Sequence, residues 1–283
     1  MSKPKHPYGK NFILLAVSLL TLLAACQPAQ PATTVPDVGT IVAQTLEALT
    51  AATSTPVPAN GLPVSYHNAS FIIPLELNAS VTPSTGTDVE FPYINPSLGP
   101  MPEHSVFSFT NYPLPRGGRI MIFKASEYAA YSQLLQETIT ALLAGQDTLQ
   151  PLPDALIHGH FYAQAKAVNF KNGHGVRYLI QNLDSLVPIT NEGLFYCYQG
   201  ITTDGAYFVS ATFGVNAGFL VADGNPASVT PPDGVPFGNG TDFDYSAYLS
   251  AVTQKLNDTP AESYVPSLLT LDRMIESLQI SVP

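Results

Sequence analysis

The chain has 283 residues, 45% of them apolar and only 11% charged, against a usual charged share of about 25%; length and apolar content suit one large folded domain and exclude general disorder. Two Cys, 26 Pro, 20 Gly and no Trp exclude a disulfide-stapled scaffold, a coiled coil and a helical repeat array. A formal charge of −10 speaks against a nucleic-acid-binding surface.

The first segment has a positive start at Lys3, Lys5 and Lys10, then an apolar run from Phe12 to Leu23 broken only by Ser18 and Thr21. Twelve helical residues span about 18 Å, short of the roughly 30 Å hydrocarbon core. Residues 1–25 therefore predict a signal peptide and not a membrane span. The segment closes on Leu23-Ala24-Ala25-Cys26, which resembles the lipobox of bacterial lipoproteins. That resemblance implies cleavage by signal peptidase II between Ala25 and Cys26, a diacylglyceryl thioether on Cys26, and further acyl chains of the palmitate kind. Two or three chains anchor stably where one binds marginally. Loss of the three signal lysines would leave eight basic residues against 21 acidic ones, a net of −13. A body so acidic is repelled by anionic head groups, so membrane contact is expected through lipid and not through a basic patch.

Residues 26–62 read as the lipidated cysteine and a stalk, in which Pro28, Pro31, Pro36, Pro56 and Pro58 alternate with Ala and Thr. Within it Asp37 and the apolar positions Val38, Ile41, Val42, Leu46 and Leu49 predict one short amphipathic helix. Residues 63–283 read as a single α+β ectodomain. Short apolar runs at 69–73, 105–110 and 119–123 predict strands, the last two joined as a hairpin across 112–118. Ser126 is placed to cap a helix running to Ala144, stopped by Gly145. The segments 160–170 and 176–183 flank Lys171-Asn172-Gly173-His174-Gly175, and 194–200 and 206–213 flank Thr202-Thr203-Asp204-Gly205. Both are hairpin signals, and together they predict a four-stranded antiparallel meander. A Gly/Pro/Asn-dense loop from Gly214 to Asp242 follows, then helices over 244–256 and 267–278. The expected fold class is α+β, with the antiparallel β-meander sheet carrying helices packed on one face.

The meander stretch Asn172-Gly173-His174-Gly175-Val176-Arg177-Tyr178-Leu179, with Phe195–Gly200 and Asp204–Ala211, resembles a family of secreted bacterial domains of unknown function over about residues 105–280. The resemblance implies an envelope-exposed α+β module and carries no activity with it. The stalk segment Val42–Leu46 also resembles lipoprotein stalks of filamentous green bacteria.

Chemistry has few footholds. His158 and His160 sit two apart, but ten residues of strand would hold His174 on the order of 30 Å from His160, too far to share a metal. Asp233, Asp242 and Asp244, with Asn239, are spaced too loosely for a calcium loop and read as turn and cap residues. Neither G-x-S-x-G, H-E-x-x-H nor a phosphate-binding loop occurs. Cys197 in an aromatic strand reads as a buried core residue. The candidate ligand-binding set is Tyr178, Tyr196 and Tyr207 with Arg177, provided that the tyrosines share a solvent-facing side; strand propensity and core packing account for the same residues. Arg177 reads most simply as the partner of a carboxylate. No cofactor or metal is expected. The sequence thus predicts a cell-envelope lipoprotein, extracytoplasmic and membrane-anchored, with a non-catalytic ectodomain that binds a ligand or an envelope protein, peptide or glycan. The rival readings are an extracellular metal-dependent hydrolase and an envelope-complex assembly factor.

Overall fold

A computed structural model describes residues 61–86, 101–145, 161–183, 185–238, 240 and 242–281. The segments expected to form the signal peptide, the lipobox and the amphipathic stalk helix lie outside these residues. Ten strands form two antiparallel sheets among the described residues. Strands β1 (Gly61–Tyr66), β2 (Ala69–Pro74) and β10 (Gln279–Ile280) make a three-stranded sheet in the order β1-β2-β10. The other seven are β3 (Ser80–Gly86), β4 (His104–Thr110), β5 (Gly118–Lys124), β6 (Phe161–Ala167), β7 (Gly173–Gln181), β8 (Phe195–Thr202) and β9 (Tyr207–Gly214). They lie in the order β3-β4-β5-β9-β8-β7-β6. The fold is α+β, and β6 to β9 are the expected meander.

Turn chemistry fixes that meander. Between β8 and β9 the Asp204 carboxylate accepts from the Thr202 hydroxyl at 2.6 Å and from the Ala206 amide at 3.0 Å, while Gly205 takes φ +71°. Side chains that hydrogen-bond their own turn, followed by a glycine free to adopt positive φ, favour a tight reversal. Between β6 and β7, Phe170 and Gly173 exchange backbone hydrogen bonds across Lys171 and Asn172.

Alternation along the strands gives the large sheet two buried faces. On one, Phe107, Ile120, Ile122, Leu179, Tyr196, Tyr198, Val209 and Phe213 pack with Phe71 and Ile73 of β2 and with two C-terminal helices, α3 (Tyr245–Asp258) and α4 (Leu268–Glu276). On the other, Met121, Phe123, Ile201 and Phe208 pack under Tyr128, Leu135, Ile139 and Leu142 of α1 (Ala125–Tyr131) and α2 (Gln133–Leu143). The helices therefore divide between the two faces instead of sharing one. The cause is visible in β5, where Ile120 and Ile122 face one way and Met121 and Phe123 the other: a strand apolar on both sides needs cover on both.

The helix expected over 126–144 is two helices. Ser132 adopts extended geometry (φ −157°, ψ 155°) and its hydroxyl accepts from the Leu135 amide at 3.3 Å, so the residue ends one helix and caps the next. Asp244 caps α3 as expected, accepting from the Ala247 amide at 2.9 Å. The long loop before it is held by an Asp223 turn and by the mutually packed rings of Phe237, Phe243, Tyr245 and Tyr248.

Candidate functional site

Two polar assemblies stand out, one sealed and one open. The sealed one begins at a β-bulge in β6, where the register against β7 shifts between Ala163 and Lys166 and Gln164 takes φ +54°. The bulge re-aims Gln164 at the end of α3. Its backbone amide donates to Asn257 Oδ1 at 2.6 Å, and its side-chain amide donates to the carbonyls of Leu256, Asn257 and Thr259 at 2.7, 3.2 and 2.8 Å. These carbonyls cluster where the helix ends, and that of Leu256 also accepts from the Tyr264 hydroxyl at 2.7 Å, so the glutamine is one part of a C-terminal cap supplied from outside the helix. Gln164 also accepts from the Arg177 guanidinium through its backbone carbonyl and its Oε1.

Arg177 faces Asp272 of α4 with Nε 3.3 Å from Oδ1, and both side chains are 3% exposed. That Nε has no well-directed hydrogen bond, so the contact is one of charge. Lys166 Nζ lies 3.0 Å from Asp272 Oδ2, and the Tyr196 hydroxyl donates to Oδ1 at 3.1 Å. Burial first, and then the Asp272 charge, push the Tyr196 phenol well above its ordinary range. In this arrangement its hydroxyl is the donor to Asp272. A carboxylate enclosed by two cations and a phenol fastens α4 to β6, β7 and β8; Asp272, Arg177 and Tyr196 are buried, and Lys166 alone reaches the surface. The expected carboxylate partner of Arg177 is thus Asp272.

The tyrosine platform is not built. Pairing sets Tyr178 beside Cys197 and Leu179 beside Tyr196, so Tyr178 and Tyr196 point to opposite faces of the sheet. Both are fully buried, and Arg177 is 2% exposed. The Tyr178 hydroxyl donates to Gln199 Oε1 at 2.9 Å. The physical reason is the two-residue period of a strand: neighbours paired across β7 and β8 share a face, and these two tyrosines are not such neighbours.

Tyr207 alone reaches an open site. It starts β9, opposite Lys124 at the end of β5, and lines a cleft of about 530 Å³. His67 and Asn68 in the β1–β2 turn, Thr85, Glu103, Ser105, Ile122 and Ser281 complete most of the wall. His67 takes φ +51° in that turn. The Tyr66 and Thr85 hydroxyls lie 3.0 Å apart, and the Ser281 amide donates to the Asn68 carbonyl at 2.7 Å. These bonds fix the small sheet against the end of β3 and hold the cleft's rim. Lys124 is paired with Glu127 at 2.9 Å, which raises its pKa. His104 borders the cleft, but its ring stacks on Phe123 on the opposite face at 4.3 Å between centroids. Its Nδ1–H donates to the Pro102 carbonyl at 2.8 Å, which leaves Nε2 buried without a partner. Burial lowers the His104 pKa; the Pro102 bond opposes this, and the Arg119 charge adds to it. A larger hollow of about 790 Å³ over α1 and α2 is floored by Ala129, Ala141, Gln136 and similar side chains. It has no aromatic ring or charge pair with which to grip a ligand.

The remaining expectations fall as follows. His174 is engaged with the Leu142 carbonyl at 3.0 Å. His158, His160 and Asn239 lie outside the described residues, as do Ala25 and Cys26. Asp233 lies 3.8 Å from Lys255. Among the described residues no three of His, Cys, Asp and Glu come together to hold a metal ion. Asp272 and Gln164 were missed by sequence reasoning. Asp272 did carry a signal, because it lies four residues after Leu268 on the inward stripe of its helix, where an acid needs a cation. The cleft gave none, since its wall comes from six separate segments. Compared with protein-family models, curated proteins and solved structures, the chain matches none.

Proposed function

We propose that this chain is a lipid-anchored protein of the bacterial cell envelope. Residues 1–25 direct export, acyl chains on Cys26 hold the mature protein to the membrane, and the α+β body is displayed outside the cytoplasm as a non-catalytic binding module. The observation that carries the anchor is the order of parts at the N-terminus: basic start, short apolar run, two small residues, cysteine. Support for binding comes from the cleft at Tyr207, whose volume falls among those of small-molecule sites and whose wall joins an aromatic ring to a few polar groups.

Fractionation of a bacterial host expressing the chain tests the anchor. The wild-type protein is expected in the membrane pellet and to resist extraction by high salt. Cys26→Ser is expected to remain uncleaved at the lipobox and to lose incorporation of a labelled palmitate analogue. Equal labelling of the two proteins would overturn the reading.

A further inference from the structure

We infer that the cleft at Tyr207 takes a neutral saccharide; the inference rests on the binding reading above and names its ligand class. The first observation is the balance of charge. Among the described residues that line the cleft, the one lysine, Lys124, is already paired with Glu127 at 2.9 Å, which weakens its pull on a phosphate or carboxylate. Glu103 at the rim and an overall charge of −10 repel anions further.

The second observation is the kind of polar group. Thr85, Ser105 and Ser281 offer hydroxyls that both donate and accept, Asn68 offers an amide, His67 an imidazole and Glu103 a carboxylate acceptor. Such a set matches a ligand whose own groups both donate and accept, as sugar hydroxyls do. The Asn68 Nδ2 donor at the cleft wall is sheltered and has no hydrogen-bond partner.

The third observation is the apolar wall. Tyr207 is half-buried on one side of the cleft, with Ile122 beside it. A ring of this kind gives the C–H face of a pyranose a flat, rigid contact while its edge stays wet. Hydroxyl, amide and carboxylate partners around one aromatic ring thus describe a hydroxyl-rich, uncharged ligand with an apolar face.

The test uses the full lipidated chain in a polyoxyethylene detergent, which carries no sugar head group. Cellotetraose, maltotetraose and N-acetylchitotetraose are titrated by calorimetry, with the dipeptide Ala-Ala as a zwitterionic comparator. At least one oligosaccharide is expected to bind saturably. Tyr207→Ala should weaken it by at least about tenfold, as the loss of an aromatic anchor does. Tyr207→Phe should keep most of the affinity, and Tyr162→Ala, on a strand remote from the cleft, should leave it unchanged. Circular dichroism establishes that each variant is folded. Absence of saturable binding by all three sugars up to about 10 mM, the millimolar limit of weak specific association, overturns the inference. So does sugar binding that Tyr207→Ala leaves intact. Binding of Ala-Ala alone, lost in Tyr207→Ala, overturns the saccharide while the binding reading stands.

Discussion

At the scale of single residues, the consequences are set by burial. Asp272 is 2% exposed and touches Arg177, Lys166 and Tyr196. Asp272→Ala removes the one carboxylate they share and leaves the Arg177 charge buried without a counter-charge. A loss of about 3–5 kcal/mol in unfolding free energy is expected, as for other broken buried pairs, and denaturant titration measures it. Removing both charges, with Asp272→Leu and Arg177→Met together, should cost less than Asp272→Ala alone, because no stranded ion remains. His104 gives a different handle. Its folded pKa lies below the ordinary 6.5, first because of burial. The unfolded chain then binds the extra proton, so the stabilising contribution is present above pH 6.5 and is lost as the pH falls through that value toward the lowered folded pKa. The midpoint of urea unfolding should drop across this window, and His104→Gln should flatten the drop. An unchanged slope in the variant would assign the acid sensitivity to another group.

Between elements, close approach decides what a strand can carry. Gly175 of β7 and Gly200 of β8 are register partners, and a Cβ on either would lie 2.5 or 2.4 Å from the Tyr198 hydroxyl. The Tyr198 side chain, fully buried, occupies the space that the pair leaves and donates to the Val168 carbonyl at 3.1 Å. Gly200→Ala therefore forces a packed ring to move and should destabilise the protein by about 1–3 kcal/mol, the usual cost of overpacking. Thermal unfolding reads this directly. The meander was legible beforehand because its turns carry local chemistry, Asp204-Gly205 and Asn172-Gly173, and its strands are rich in aromatic and β-branched residues. Strands β1, β3 and β10 were not. Their sequences, GLPVSY, SVTPSTG and the two-residue QI, are short, half-exposed or interrupted by proline, and they exist as strands through partners distant in the chain. The break at Ser132 was hidden for a related reason. Helical periodicity runs through it, while the serine hydroxyl that caps the second helix competes with the backbone only locally.

Across the whole body, the division of helices between two faces explains why the candidate tyrosines were misplaced. Sequence patterning shows that Tyr178, Tyr196 and Tyr207 lie on strands; only register decides which face each takes, and a sheet covered on both sides buries two of them. Arg177 was readable as an ion-pair partner because a lone cation in an apolar strand must be compensated. Its carboxylate, 95 residues onward, was a matter of tertiary packing. The open cleft collects residues from the β1–β2 turn to the end of the chain, and no local pattern announces it. In the proposed reading the body supplies the binding surface, and the N-terminal segment supplies the address. The central claim is that the two belong to one lipid-anchored protein. Mass spectrometry of the N-terminal peptide of the protein recovered from bacterial membranes tests that claim most directly. The account predicts a peptide that begins at Cys26 and carries a diacylglyceryl group on its sulfur. A peptide that begins at Met1, or one that begins beyond Cys26 with no lipid, would contradict it.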